Sequence, residues 1–126
     1  MGPARRGLQV SVESPGSAIF IAIVQADRGL ELETFARDFS AEADKQTPSV
    51  LRRETRFDLS RFAEGTIREH YTVSLAGVKV PHLREYRKIT GAHRSAFLIT
   101  QSADEDLART QPGFDLLVKS FKLTDR

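Results

Sequence analysis

From Leu8 onward apolar residues alternate with polar ones: Leu8, Val10 and Val12 stand between Gln9, Ser11 and Glu13, the period of a strand with one buried face. Ser14-Pro15-Gly16-Ser17 is a turn cluster. The next run, Ala18 to Val24, is apolar on both faces, as in a strand covered on both sides, which belongs in the middle of a sheet. The two runs together read as a hairpin. The period then lengthens. Leu32, Phe35, Ala36, Phe39 and Ala43 follow one face of a helix predicted over 31–46. Glu31 and Glu33 suit its positive end, and Pro48 stops it.

A long β region follows. Residues 50–58 form an Arg-rich strand containing Arg52, Arg53 and Arg56. Residues 65–75 alternate, with Ile67, Glu69, Tyr71, Val73 and Leu75 on one side and Thr66, Arg68, His70, Thr72 and Ser74 on the other. Ala76-Gly77 makes a turn into a strand over 78–89, where Pro81 predicts a bulge or an edge position. Gly91 to Arg94 turns the chain into a last strand at 95–101, centred on Phe97, Leu98 and Ile99. Ser102-Ala103-Asp104-Glu105 fits a capping box. Leu107 belongs to a short first helix, and Pro112 to the start of a second, whose stripe is Phe114, Leu117, Val118 and Phe121. The order is β-β-α-β-β-β-β-α, an α+β domain. Residues 1–7 are expected as a flexible start and 8–126 as a single domain.

Composition changes this picture little. Hydrophobic residues make up 40% and charged residues 29% of 126, which suits a globular chain able to bury one core and argues against wholesale disorder. The net charge is only +2, so a pI near 9.2 reflects a small excess of base. Bulk charge therefore does not point to nucleic acid, and Arg52 and Arg53 alternate between faces, which argues against one basic patch. The absence of cysteine excludes disulfides, thiolate nucleophiles and cysteine-ligated zinc. No apolar run approaches the roughly 18 residues of a membrane span. The first seven residues hold no signal sequence. The compartment stays undecided: cytoplasmic as written, exported if a leader has been removed.

Several phrases in this order resemble the PsbP and Mog-like superfamily, including its bacterial DcrB-like members. Phe97 to Ala103 is similar to that family's final strand, and Pro112 to Leu123, with its Ser120-Phe121 pair, to its closing helix. Glu13 to Ala18 resembles the first hairpin, and Leu32-Glu33-Thr34-Phe35 the start of the first helix. The likeness covers roughly residues 8–123. It implies an antiparallel sheet sandwiched between helices (α/β/α). Relatives serve in photosystem assembly, small-GTPase regulation and secretion-related chaperoning, but none of their partner contacts or plant metal sites maps onto residues here. Many relatives also begin with an extra strand and a Pro-Gly-Trp-like phrase. This chain has no Trp, so a strand before Leu8 is expected to be trimmed or divergent.

No catalytic set is legible. His70, His82 and His93 lack metal-ligand spacing; His70 and His82 would need to meet across neighbouring strands to share an ion. No serine sits in a Gly-x-Ser-x-Gly elbow, and Gly77 and Gly91 are isolated turn residues rather than a phosphate loop. Asp104, Glu105 and Asp106 suit a helix start. No catalytic residue, metal or cofactor is therefore assigned.

The candidate interface is His82, Arg84, Tyr86 and Lys88, which share one face of a strand. Cations beside an aromatic ring suit a protein partner or an anion; the plainer reading is a solvated face whose charges pair with Asp58, Glu64 or Glu69 across the sheet. The expected function is a non-enzymatic accessory or chaperone-like module that binds another protein, without nucleic acid and without a membrane span. A homodimer through the Pro81 strand is one expected assembly. The rivals are a carrier of a small apolar ligand, with Phe20, Phe35, Phe39, Tyr71 and Phe97 lining its pocket, and an enzyme on a cystatin-like cone, which requires a polar cluster inside the sheet concavity.

Overall fold

The computed structural model describes residues 8–13, 18–46, 50–56 and 66–123. The elements are β1 (Leu8–Glu13), β2 (Ile19–Ala26), α1 (Leu32–Gln46), β3 (Val50–Arg56), β4 (Ile67–Leu75), β5 (Val78–Thr90), β6 (Arg94–Ala103), a 3-10 turn (Asp104–Asp106) and α2 (Leu107–Ser120). The α+β order read from periodicity holds throughout. Residues 1–7 and 57–65 lie outside the described residues, and with them the expected flexible start, Asp58 and Glu64.

The strands form one antiparallel sheet in the order β1-β2-β6-β5-β4-β3. β2 pairs β6 from Ile19↔Gln101 to Ala26↔Arg94, which carries the N-terminal hairpin to the end of the sheet. A helix lies on each face. Even-numbered residues of β2 and β6, Phe20, Ala22, Ala96 and Leu98, are buried with Phe114 of α2. On the other face Ile67, Tyr86 and Ile99 are buried with Ala36 of α1, and Ile21, Ile23, Phe35 and Phe39 pack against them. The doubly apolar run of β2 is thus explained: one alternate set faces each helix. Ala36, 0% exposed, lets α1 approach closely. Phe35 stacks on Phe97 with centroids 4.1 Å apart and planes 6° from parallel.

Three local expectations are corrected. β5 is an interior strand over most of its length, and its register with β4 runs through Thr72↔Pro81 without a shift, so Pro81 marks no bulge. β6 ends at Ala103, opposite His82. Val78–Pro81 therefore overhangs β6 with a strand on one side only, the local edge that a residue without an N–H requires. The strand proposed for pairing with a second copy is accordingly not an edge; the sheet ends at β1 and β3. Secondly, no capping box forms: Ala103 precedes the 3-10 turn with no side-chain cap, and the Ser102 hydroxyl donates to the Ala103 carbonyl at 3.1 Å. Thirdly, Pro112 lies inside α2, which begins at Leu107; the two expected helices are one.

The β4–β5 hairpin turns on two residues, Ala76 and Gly77, with φ of 51° and 80°. Two positive values are what the right-handed twist of a two-residue hairpin demands. Glycine adopts this freely; alanine does so at a cost.

Candidate functional site

The α1 side of β4, β5 and β6 carries one row of chemistry. Register sets Glu69 opposite Arg84 and Arg84 opposite Gln101, with Ile67–Tyr86–Ile99 on one side of this row and Tyr71–His82–Ala103 on the other. α1 closes over the row and adds Ser40 and Phe39.

Glu69 is 0% exposed. Its Oε1 accepts from Arg84 Nη1 at 2.9 Å and from the Tyr86 hydroxyl at 2.6 Å, and its Oε2 from the Ser40 hydroxyl. Arg84 Nε donates to Gln101 Oε1 at 2.8 Å, and Nη1 also reaches the Tyr86 oxygen at 3.3 Å. The Arg84 guanidinium carbon lies 4.6 Å from the Tyr71 centroid and 5.4 Å from that of Phe39, cation–π distances. Tyr71 stacks on His82 at 5.1 Å, and His82 Nδ1 pairs with the Val80 carbonyl at 2.9 Å. A buried ion pair holds only when hydrogen bonds satisfy its remaining atoms, and Glu69 has three donors.

The local fields have definite directions. Burial pushes the Tyr86 phenol up from 10.0; Arg84 opposes this, while Glu69 and its hydrogen bond reinforce it. Burial alone would lower Arg84, but Tyr86, Tyr71 and Glu69 outweigh it and hold the guanidinium above its ordinary value. The stable state is Tyr86 neutral and Arg84 charged.

The four residues singled out from sequence, His82, Arg84, Tyr86 and Lys88, do share this face. The expectation that they form an exposed strip is corrected: His82 and Arg84 are 5% exposed and Tyr86 1%, with Phe39 of α1 against Arg84 and Tyr86 and the Tyr71 ring against His82. Lys88 is tied down, donating to the Leu30 carbonyl at 2.7 Å with Asp27 at 4.0 Å. Of the partners considered, Glu69 pairs with Arg84; Asp58 and Glu64 lie outside the described residues.

Sequence reasoning assigned no role to Ser40 or Gln101 and named Glu69 as a charge partner across the sheet. The signal for Glu69 was present, since it occupies an apolar register between Ile67 and Tyr71. The row is a polar cluster buried beneath α1, whereas the enzyme reading asked for one inside the sheet concavity. The five aromatic residues of the ligand-carrier reading are divided, with Phe20 on the α2 side and the others on the α1 side. His70 stands opposite Leu83 and His82 opposite Tyr71, so the two histidines face opposite sides of the sheet and cannot share an ion. Among the described residues no group of three His, Asp or Glu side chains is placed to hold a metal, and no helix is long and apolar enough to cross a membrane.

No family model matches this chain. A stretch of 82 residues is 34% identical to part of the bifunctional enzyme IspD/IspF of Rhizorhabdus wittichii, covering 65% of this chain and 20% of that protein. The chain therefore spans about a fifth of the length of the curated relative it matches. Among solved structures, LpqN of Mycobacterium tuberculosis, described as involved in cell envelope biogenesis, aligns over 90% of this chain and 68% of its own with 11% identity and a TM-score of 0.42. PA94 of Pseudomonas aeruginosa, a protein of unknown function, aligns over 97% of this chain and 87% of its own at 12% identity and a TM-score of 0.50; at that identity the shared property is the α+β fold.

Proposed function

We propose that this chain is a non-enzymatic accessory module, chaperone-like in kind, that binds another protein. The observation carrying this reading is that the buried surroundings hold Tyr86 neutral and Arg84 charged, with Glu69 enclosed among their donors. General acid–base catalysis needs a group whose pKa lies near the working pH. Tyr86 is displaced upward, away from that range, and Arg84 is held charged. Glu69 is committed to three donors. The row fastens α1 to the sheet, a structural task. The resemblance of residues 97–103 and 112–123 to a superfamily rich in accessory proteins supports the same reading.

The test pairs affinity capture by the immobilised chain with a panel of small ester, phosphate and glycoside substrates. The expected result is stoichiometric recovery of a defined protein without turnover. Turnover abolished by Glu69→Gln in a variant that still folds would overturn the proposal.

A further inference from the structure

Three side chains on the β5–β6 side of the buried row carry nitrogens that the row does not use. Arg84 gives Nε to Gln101 and Nη1 to Glu69 and Tyr86; among the described residues its Nη2 meets no acceptor. His82 engages the Val80 carbonyl through Nδ1 alone, and Gln101 engages Arg84 through its oxygen alone. Arg84 and His82 are each 5% exposed. Buried polar atoms are nearly always bonded, so one that the chain does not satisfy calls for an explanation.

The existing bonds fix the chemistry of each free atom. Arginine can only donate, so Gln101 turns its oxygen to Arg84 Nε and its amide NH2 away. A carbonyl can only accept, so the His82 proton sits on Nδ1, and in the neutral ring Nε2 carries a lone pair. Two donors, Arg84 Nη2 and the Gln101 amide, thus stand beside one acceptor, His82 Nε2. Register sets Gln101 opposite Arg84 and Ala103 opposite His82. Opposed residues are about 5 Å apart and alternate residues of a strand about 7 Å, the scale of one small functional group. Ala103 adds only a methyl to this corner. The Tyr71 ring backs it, with the Arg84 guanidinium carbon 4.6 Å and the His82 ring 5.1 Å from its centroid. Gln101 is half-buried and brings the corner to the surface.

Charge narrows the occupant. Glu69, 2.9 Å away, already matches the Arg84 charge. A second carboxylate would share that one cation and set its lone pairs against His82 Nε2. An ammonium would face the two donors. An uncharged carbonyl beside an N–H suits all three groups: its oxygen accepts from Arg84 and Gln101, and its N–H donates to His82. We infer that His82, Arg84 and Gln101 form a binding site for the primary carboxamide group of a small molecule. This goes beyond the protein-binding reading and does not depend on it.

Acetamide and acetate, which differ only in the head group, provide the test. Isotope-labelled protein is titrated with each and followed at the His82 ring nitrogens and the Gln101 side-chain amide. Acetamide should move both signals saturably and bind about tenfold more tightly than acetate. Gln101→Glu keeps an acceptor for Arg84 Nε and offers a second one to Nη2, the two-pronged pairing that arginine favours; it should remove the acetamide response while the backbone spectrum stays folded. His82→Phe keeps a ring against Tyr71 and should weaken acetamide about fivefold. Acetate binding as tightly as acetamide, undiminished binding by Gln101→Glu, or a His82 ring that shows only a long-lived water contact and ignores acetamide would overturn the inference.

Discussion

Replacing Arg84 with methionine keeps much of the side-chain length and removes the charge that faces Glu69. Two unit charges 2.9 Å apart attract by about 6 kcal/mol at an effective dielectric of about 20. Desolvating both ions costs several kcal/mol each, so the intact pair is close to break-even against an apolar replacement. Removing one member is different, because Glu69, at 0% exposure, stays buried without its cation, while Ser40 and Tyr86 still donate to it. The expected loss for Arg84→Met is about 3–5 kcal/mol, and Arg84→Met with Glu69→Leu should recover most of it. Urea unfolding followed by circular dichroism, at unchanged slope, measures both. The pH dependence is a second check. In Arg84→Met burial raises the Glu69 pKa in the folded state above its unfolded value, so the folded state binds more protons and the deficit should shrink as pH falls through the carboxyl range. A loss below about 1 kcal/mol, or losses that simply add in the double variant, would refute the claim that this pair is desolvated and coupled.

Tyr86→Phe retains the ring but removes the donor to Glu69 Oε1, and should cost about 1.5–3 kcal/mol at neutral pH by the same unfolding assay. Because burial holds the folded Tyr86 phenol above 10.0, the native state keeps a proton that the unfolded chain gives up. Tyr86 therefore contributes stability below pH 10 that is lost as pH rises further; an alkaline stability series should fall less steeply in Tyr86→Phe than in the parent. Ala76→Asn should stabilise by about 0.5–1 kcal/mol, since asparagine tolerates the left-handed conformation; a lowered unfolding midpoint would show that the turn does not have this geometry.

The sequence by itself determined the element order and the two-sided burial of β2, because periods of 2 and 3.6 follow from local backbone geometry that each residue obeys wherever the chain goes. Glu69 in the apolar row of β4 was equally legible as an anomaly, and so was the shared face of His82, Arg84, Tyr86 and Lys88. Only the tertiary structure decided what covers that face. α1 comes from a distant part of the chain, and its placement turns an apparent surface strip into a buried ion pair under Ser40 and Phe39. Neighbours within the sheet were likewise undetermined: Pro81 reads as an edge residue locally, but β5 becomes interior because β6 returns beside it and stops at Ala103. The same long-range pairing sets Arg56 of β3 beside Arg68 of β4, with Arg87 of β5 in the next rank. Residues far apart along the chain thereby become neighbours, since alternation is a property of a strand and adjacency a property of the sheet.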